Sequence, residues 1–133
     1  MQKDIEINNI KNIVISAINE AEQHEVKIVQ EDWGVEWNFE AKKWVFEDPY
    51  NKTACALGAV LLKHQPEPKE NNCNPDATIA QFLGVDNVFV MDFISGFDDG
   101  SYGNTSKANC LGAEVGEEAG FVYNNHNDDD DDF

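Results

Sequence analysis

Arginine is missing altogether from this sequence. All nine basic residues are lysine, they face 26 acids, and the formal net charge is −17. Without a guanidinium, the chain lacks the planar donor fork that grips phosphate through two parallel hydrogen bonds. Binding to a nucleic-acid backbone needs clustered positive charge, so no direct nucleic-acid partner and no anionic membrane partner is expected. Cysteine is sparse too. Cys55, Cys73 and Cys110 are odd in number and far apart, which argues against a disulfide framework and for reduced thiols in a cytoplasmic protein. No apolar run approaches the roughly 18 residues of a membrane span. The opening MQKDIEINNI has no basic segment followed by an apolar one, so no secretory signal is expected.

Catalytic and metal-binding signatures are missing as well. There is no Gly-x-Ser-x-Gly, no phosphate-cradling loop ending in Gly-Lys-Ser/Thr and no dinucleotide fingerprint. The cysteines form no Cys-x-x-Cys zinc knuckle. Asp98, Asp99 and Asn104 in DDGSYGN offer oxygen ligands. Counted from Asp98, however, the third and twelfth positions are Gly100 and Asn109, where a calcium loop needs an acid or amide and a glutamate. Weak calcium binding at Asp98 and Asp99 stays open. Cys55 and His64 are nine residues apart, and at about 100° per residue one helix would place them on opposite faces. Paired carboxylates are too abundant to mark a site. The chain is read as a non-enzyme with no cofactor and no metal.

What is present supports one domain, because 41% of the residues are apolar, enough for a core at this length. Ile7, Ile10, Val14, Ala17, Ile18 and Ala21 recur at three- and four-residue spacing, predicting an amphipathic helix from Asp4 to Gln23. In DWGVEWNFE the period changes to two. Trp33, Val35, Trp37 and Phe39 take one face, and Asp32, Gly34, Glu36, Asn38 and Glu40 take the other. KWVFE follows after a short loop, predicting an antiparallel hairpin that gathers all three tryptophans against the first helix. ACALGAVLL reads as a short, central, buried helix. NPDATIAQFLG and DNVFVMDFISGF read as further helices, the first with Asn74 and Pro75 at its start and Gly84 at its end. SKANCLGAEVGEEAG is a last helix with Ser106 as its N-cap. Gly112 and Gly116 there would let a neighbour come close. The expected fold is α+β: a mostly helical single domain over residues 1–123 with one small antiparallel β-hairpin, followed by a disordered acidic tail over residues 124–133.

The succession CALGAVLL, FLGV, FVMDFISGFDDG and LGAEVG resembles that of small uncharacterised bacterial and phage proteins, in which similar pieces recur. The resemblance covers about Cys55 to Gly116. It implies a compact helical domain and brings no activity with it.

Acidity is what function must be read from. Without the five aspartates of the tail, 21 acids still face nine lysines, leaving −12 on the body. Asp32, Glu36 and Glu40 recur every four residues on the outer face of the expected strand, roughly 13 Å apart if it is fully extended. Such a row would imitate nucleic-acid phosphates and occupy the groove of a basic partner, concretely a nucleic-acid-binding protein. The tip offers a second surface. Asp128, Asp129, Asp130, Asp131 and Asp132 carry charge, and Phe133 adds an aromatic ring. This tip resembles the acidic ends of single-stranded-DNA-binding proteins, although it has no Ile-Pro before the phenylalanine, and the body shows no five-stranded barrel. The resemblance implies docking to a replication or repair partner. A third expectation is a small enzyme or ligand-binding domain with a pocket beside the tryptophan hairpin.

Overall fold

The structure is a computed structural model that describes residues 2–69, 73–100 and 106–123, with side chains of the first helix described from Ile7 onward. The first helix, α1, runs Gln2–Gln23. Its predicted apolar stripe is its buried face: Ile10, Val14, Ala17, Ile18 and Ala21 are all in the core. It ends in a tight reversal. Glu25 adopts φ +66°, and the Val26 amide bonds back to the Ala21 carbonyl at 2.9 Å. This is the role glycine usually fills at a helix C-terminus.

Four short strands follow. Lys27–Ile28 (β1) pairs in parallel with Thr53–Ala54 (β4), and between them Val35–Asn38 (β2) pairs antiparallel with Lys43–Phe46 (β3). The hairpin is the predicted one, with Trp37 opposite Trp44 and Val35 opposite Phe46. Three details differ from expectation. Phe39 lies past the last paired residue, in the turn, and is 69% exposed. Trp33 precedes β2, and its carbonyl accepts the Cys55 amide at 3.3 Å. The hairpin is also tied to the end of the central helix rather than resting mainly on α1. There the Gln65 side-chain amide accepts the Trp44 N–H at 2.6 Å and donates to the Trp44 carbonyl at 3.1 Å, as a neighbouring strand would. The parallel β1–β4 pair was not expected, since two residues are too short to show an alternating pattern.

That central helix is α2, Ala56–His64, buried continuously from Ala56 to Leu61. Cys55 caps its N-terminus. The helices α3 (Pro75–Leu83), α4 (Asn87–Asp99) and α5 (Lys107–Glu118) complete the fold. Their starts are set locally: Asp86 accepts from the Phe89 amide and Ser106 from the Asn109 amide. Gly84 closes α3 at φ +76°. Asn74 stands at the start of α3 without a side-chain capping bond.

The pair α4–α5 is held unusually close. A Cβ added at Gly96 would collide with the Asn109 carbonyl, and one at Gly112 with the Phe93 carbonyl. Each helix thus lays a glycine on the other's backbone, as the sequence predicted for Gly112. Gly116 serves differently, making room for the Tyr123 hydroxyl, which donates to the Phe97 carbonyl. Among the described residues no single helix is long and apolar enough to cross a membrane.

Candidate functional site

The loop between β1 and β2 is fastened to the C-terminal end of α4. Gln30 Nε2 donates to the carbonyls of Phe97 at 2.9 Å and Asp98 at 3.2 Å, and the Glu31 amide donates to Asp98 Oδ1 at 2.9 Å. Asp32 folds its own loop by accepting the Gly34 amide at 3.2 Å. Gly34 follows at φ +74°, where a side chain would strike the Thr53 carbonyl. The loop therefore bridges the end of α4 and the start of α2, and a cleft of about 270 Å³ lies between them.

The cleft has an apolar lining with an acidic mouth. Trp33, Leu57, Phe93, Ile94 and Phe97 contribute to its walls, and Glu31, Asp32 and Asp98 supply carboxylates. Glu31 and Asp32 are exposed and Asp98 is half-buried. Burial raises the Asp98 carboxyl above its ordinary range, opposed by the Glu31 N–H and reinforced by the charges of Asp99 and Glu31. Glu47, although exposed, is also raised, first by partial desolvation and then by the charges of Asp32 and Glu36. These influences form two neighbouring acidic groups, Asp98 with Asp99 and Glu31, and Glu47 with Asp32 and Glu36, which adjoin where Glu31 and Asp32 follow one another in the chain. Among the described residues, Glu31, Asp32, Glu36, Glu47 and Asp98 enter no ion pair. The ion pairs found there join Lys11 to Glu114 and Glu118, and Lys63 to Glu20.

The expected acidic row is thus rearranged. Only Glu36 lies within a strand. Asp32 sits in the preceding loop and Glu40 in the hairpin turn, so the even spacing of an extended strand is not found. All three are exposed. Asp32 and Glu36 meet through Glu47, while Glu40 takes no part in that coupling. Asp128, Asp129, Asp130, Asp131, Asp132 and Phe133 lie outside the described residues, as does Asn104. Asp98 and Asp99 are not joined by further ligands: no group of three or more His, Cys, Asp or Glu suited to a metal occurs among the described residues.

Cys55 lines the cleft, but its thiol is buried and its pKa pushed up to about 12, mainly by that burial. At neutral pH it is therefore protonated, the unreactive form. Its sulfur accepts the Gly58 amide at 3.3 Å and so caps α2. His64 is the last residue of the same helix and stacks at 4.9 Å on Phe82, so no thiol–imidazole pair forms.

The chain matches no family model, no curated protein and no solved structure. Neither resemblance noted in the sequence is strengthened by these comparisons.

A pH dependence follows from Asp98. Its folded pKa is raised, so between the ordinary carboxylate value and the folded one the folded protein holds more protons than the unfolded chain. Stability then rises on acidification through that window and is lost as pH rises through the folded pKa. Asp98→Asn keeps an oxygen for the Glu31 amide and removes the charge. Thermal melts at neutral pH and at about pH 5 should show the variant more stable than the parent at neutral pH. Its gain on acidification should be smaller, with the remainder coming from Glu47. An unchanged pH profile would remove Asp98 as a source of strain.

Proposed function

We propose that the protein is a non-enzymatic binding module whose acidic end engages a basic protein, with nucleic-acid-binding proteins as the partner class. The observation that supports this reading is the two adjoining acidic groups, Asp98 with Glu31 and Glu47 with Asp32 and Glu36, none of these five in an ion pair among the described residues. Holding like charges together in the free protein costs energy, and a cationic partner relieves that cost. The formal charge of −17 attracts such a partner at long range and is screened by salt within about 8–10 Å. A ligand-binding or enzymatic reading is favoured by one feature, the cleft beside Trp33.

The test is capture of basic nucleic-acid-binding proteins at low salt, with duplex DNA as competitor. Duplex DNA should release the captured proteins, while the chain itself binds no DNA. Reversing Glu36 and Glu47 to lysine should weaken capture about tenfold, since each exposed pair contributes up to about 1 kcal/mol, and should leave thermal stability unchanged or raised. Deleting residues 128–133 tests the tail. A small loss assigns binding to the body, whereas complete loss assigns it to the tip. Capture that survives both high salt and the reversal would defeat the proposal.

A further inference from the structure

The acidic mouth and the apolar walls of the cleft call for an occupant that is both cationic and able to leave water. We propose that the cleft at the α2–α4 junction seats a single arginine side chain from the basic partner. This inference rests on the binding function proposed above and names the anchor within it.

Three observations select that occupant. The first is sign. Two helix ends meet at the cleft, the N-terminus of α2 and the C-terminus of α4, and their dipoles oppose one another. At the start of α2 the Gly58 amide is engaged by Cys55 Sγ and the Cys55 amide by the Trp33 carbonyl. The N-terminal end of α2 is thus partly satisfied from within the protein. The α4 carbonyls of Phe97 and Asp98 are taken by Gln30. The net sign is therefore set by the carboxylates of Glu31, Asp32 and Asp98, and it is negative. A second copy of this chain, at −17, is repelled.

The second observation is size. A volume of about 270 Å³ is below the roughly 300–1,000 Å³ typical of cofactor and drug-sized sites. It suits one long side chain. The third is chemistry. Leu57, Phe93 and Phe97 are almost fully buried and give the cleft a poorly hydrated interior. A guanidinium is more weakly hydrated than an ammonium, and its planar fork matches a carboxylate such as Asp98. Lysine would keep its water and remain at the mouth.

The experiment compares two peptides of equal charge by calorimetric titration at low salt: one of five lysines, and one in which the central lysine is arginine. Arginine should tighten binding about tenfold, the lower end of what a hydrogen bond to a charged group contributes. Asp98→Asn should reduce that difference to less than about twofold, because Asn retains the acceptor for the Glu31 amide but not the charge. Glu36→Gln should weaken both peptides equally and keep the arginine preference. Chemical shifts of the Phe93 and Phe97 rings should move with the arginine peptide and not with the lysine peptide. Equal binding of both peptides, with Asp98→Asn no worse than Glu36→Gln, overturns the arginine anchor and leaves the acidic surface standing. No binding of either peptide overturns the surface as well. Tighter binding of free N-acetyl-arginine amide than of the peptide would make the cleft a small-molecule site and overturn the partner assignment.

Discussion

Replacing Gly112 with valine is expected to destabilise the protein by about 3 kcal/mol, the upper part of the range for overpacking, and to lower the melting temperature by about 10 °C at this chain length. The reason is what the new side chain meets. A Cβ at Gly112 runs into the Phe93 carbonyl and the Phe97 amide of α4. These are main-chain atoms, which cannot rotate aside as the tip of a side chain can. Relief requires the two helices to separate, and Phe93 and Phe97, each at most 2% exposed, would lose packing along with the backbone contact. Gly84→Ala is the matched control. Gly84 has φ +76° but nothing near its missing Cβ, so its cost is left-handed backbone strain alone, about 1 kcal/mol. Denaturant unfolding followed by circular dichroism separates the two. If valine at 112 proves as mild as alanine at 84, the close approach of α4 and α5 is not what holds them.

Gly112 also shows what local pattern can reveal. The four-residue spacing of Gly112 and Gly116 predicts a close helix neighbour, which holds at Gly112, whereas Gly116 makes room for the Tyr123 side chain instead. The buried stripe of α1 was legible because the feature needs only one element to be visible, as was the start of α5 at Ser106. The hairpin was legible in its middle and not at its ends. Alternation continued through Trp33 and Phe39, yet both fall outside the pairing, where the chain turns to follow Gly34 and the loop after Asn38. A period of two persists in sequence whether or not a partner strand is there to use it.

The site was less legible, for a different reason. Asp98 and Glu31 are 67 positions apart, and nothing near either one marks the contact. In the sequence Asp98 stands out only as a calcium ligand candidate, and no pattern marks Glu31, or Glu47 beside Asp32 and Glu36. The pocket beside the tryptophans was expected on general grounds, but it forms at Trp33, the one tryptophan outside the hairpin. Its position depends on Gln30 reaching the end of α4, and a glutamine in a loop carries no visible instruction to do so. Gln65 is similar: a residue just past a helix that completes the edge of a sheet.

That last contact gives Trp44 the second large effect. Trp44→Ala is expected to cost about 4 kcal/mol, as for other buried aromatic truncations. The side chain is 2% exposed. Its ring meets Trp37 edge-on at 5.5 Å, an arrangement that contributes about 1 kcal/mol beyond burial, and its indole N–H donates to the Pro66 carbonyl at 2.8 Å. Alanine removes all three and leaves the hairpin held on α2 chiefly by the Gln65 amide. Gln65→Ala should then cost less, about 1–2 kcal/mol, since it breaks only the two bonds to the Trp44 main chain. The functional consequence can be read separately from stability. Glu36 is on β2 opposite Val45, and Glu47 directly follows β3, so a loosened hairpin carries both away from Asp32. The Glu47 pKa, raised by partial desolvation and by the charges of Asp32 and Glu36, should fall toward the ordinary carboxylate range in Trp44→Ala under conditions where the variant is still folded. Carboxyl chemical shifts followed through a pH titration measure it. A large loss of stability with the Glu47 titration unmoved would mean that Trp44 supports the core without positioning the acidic group.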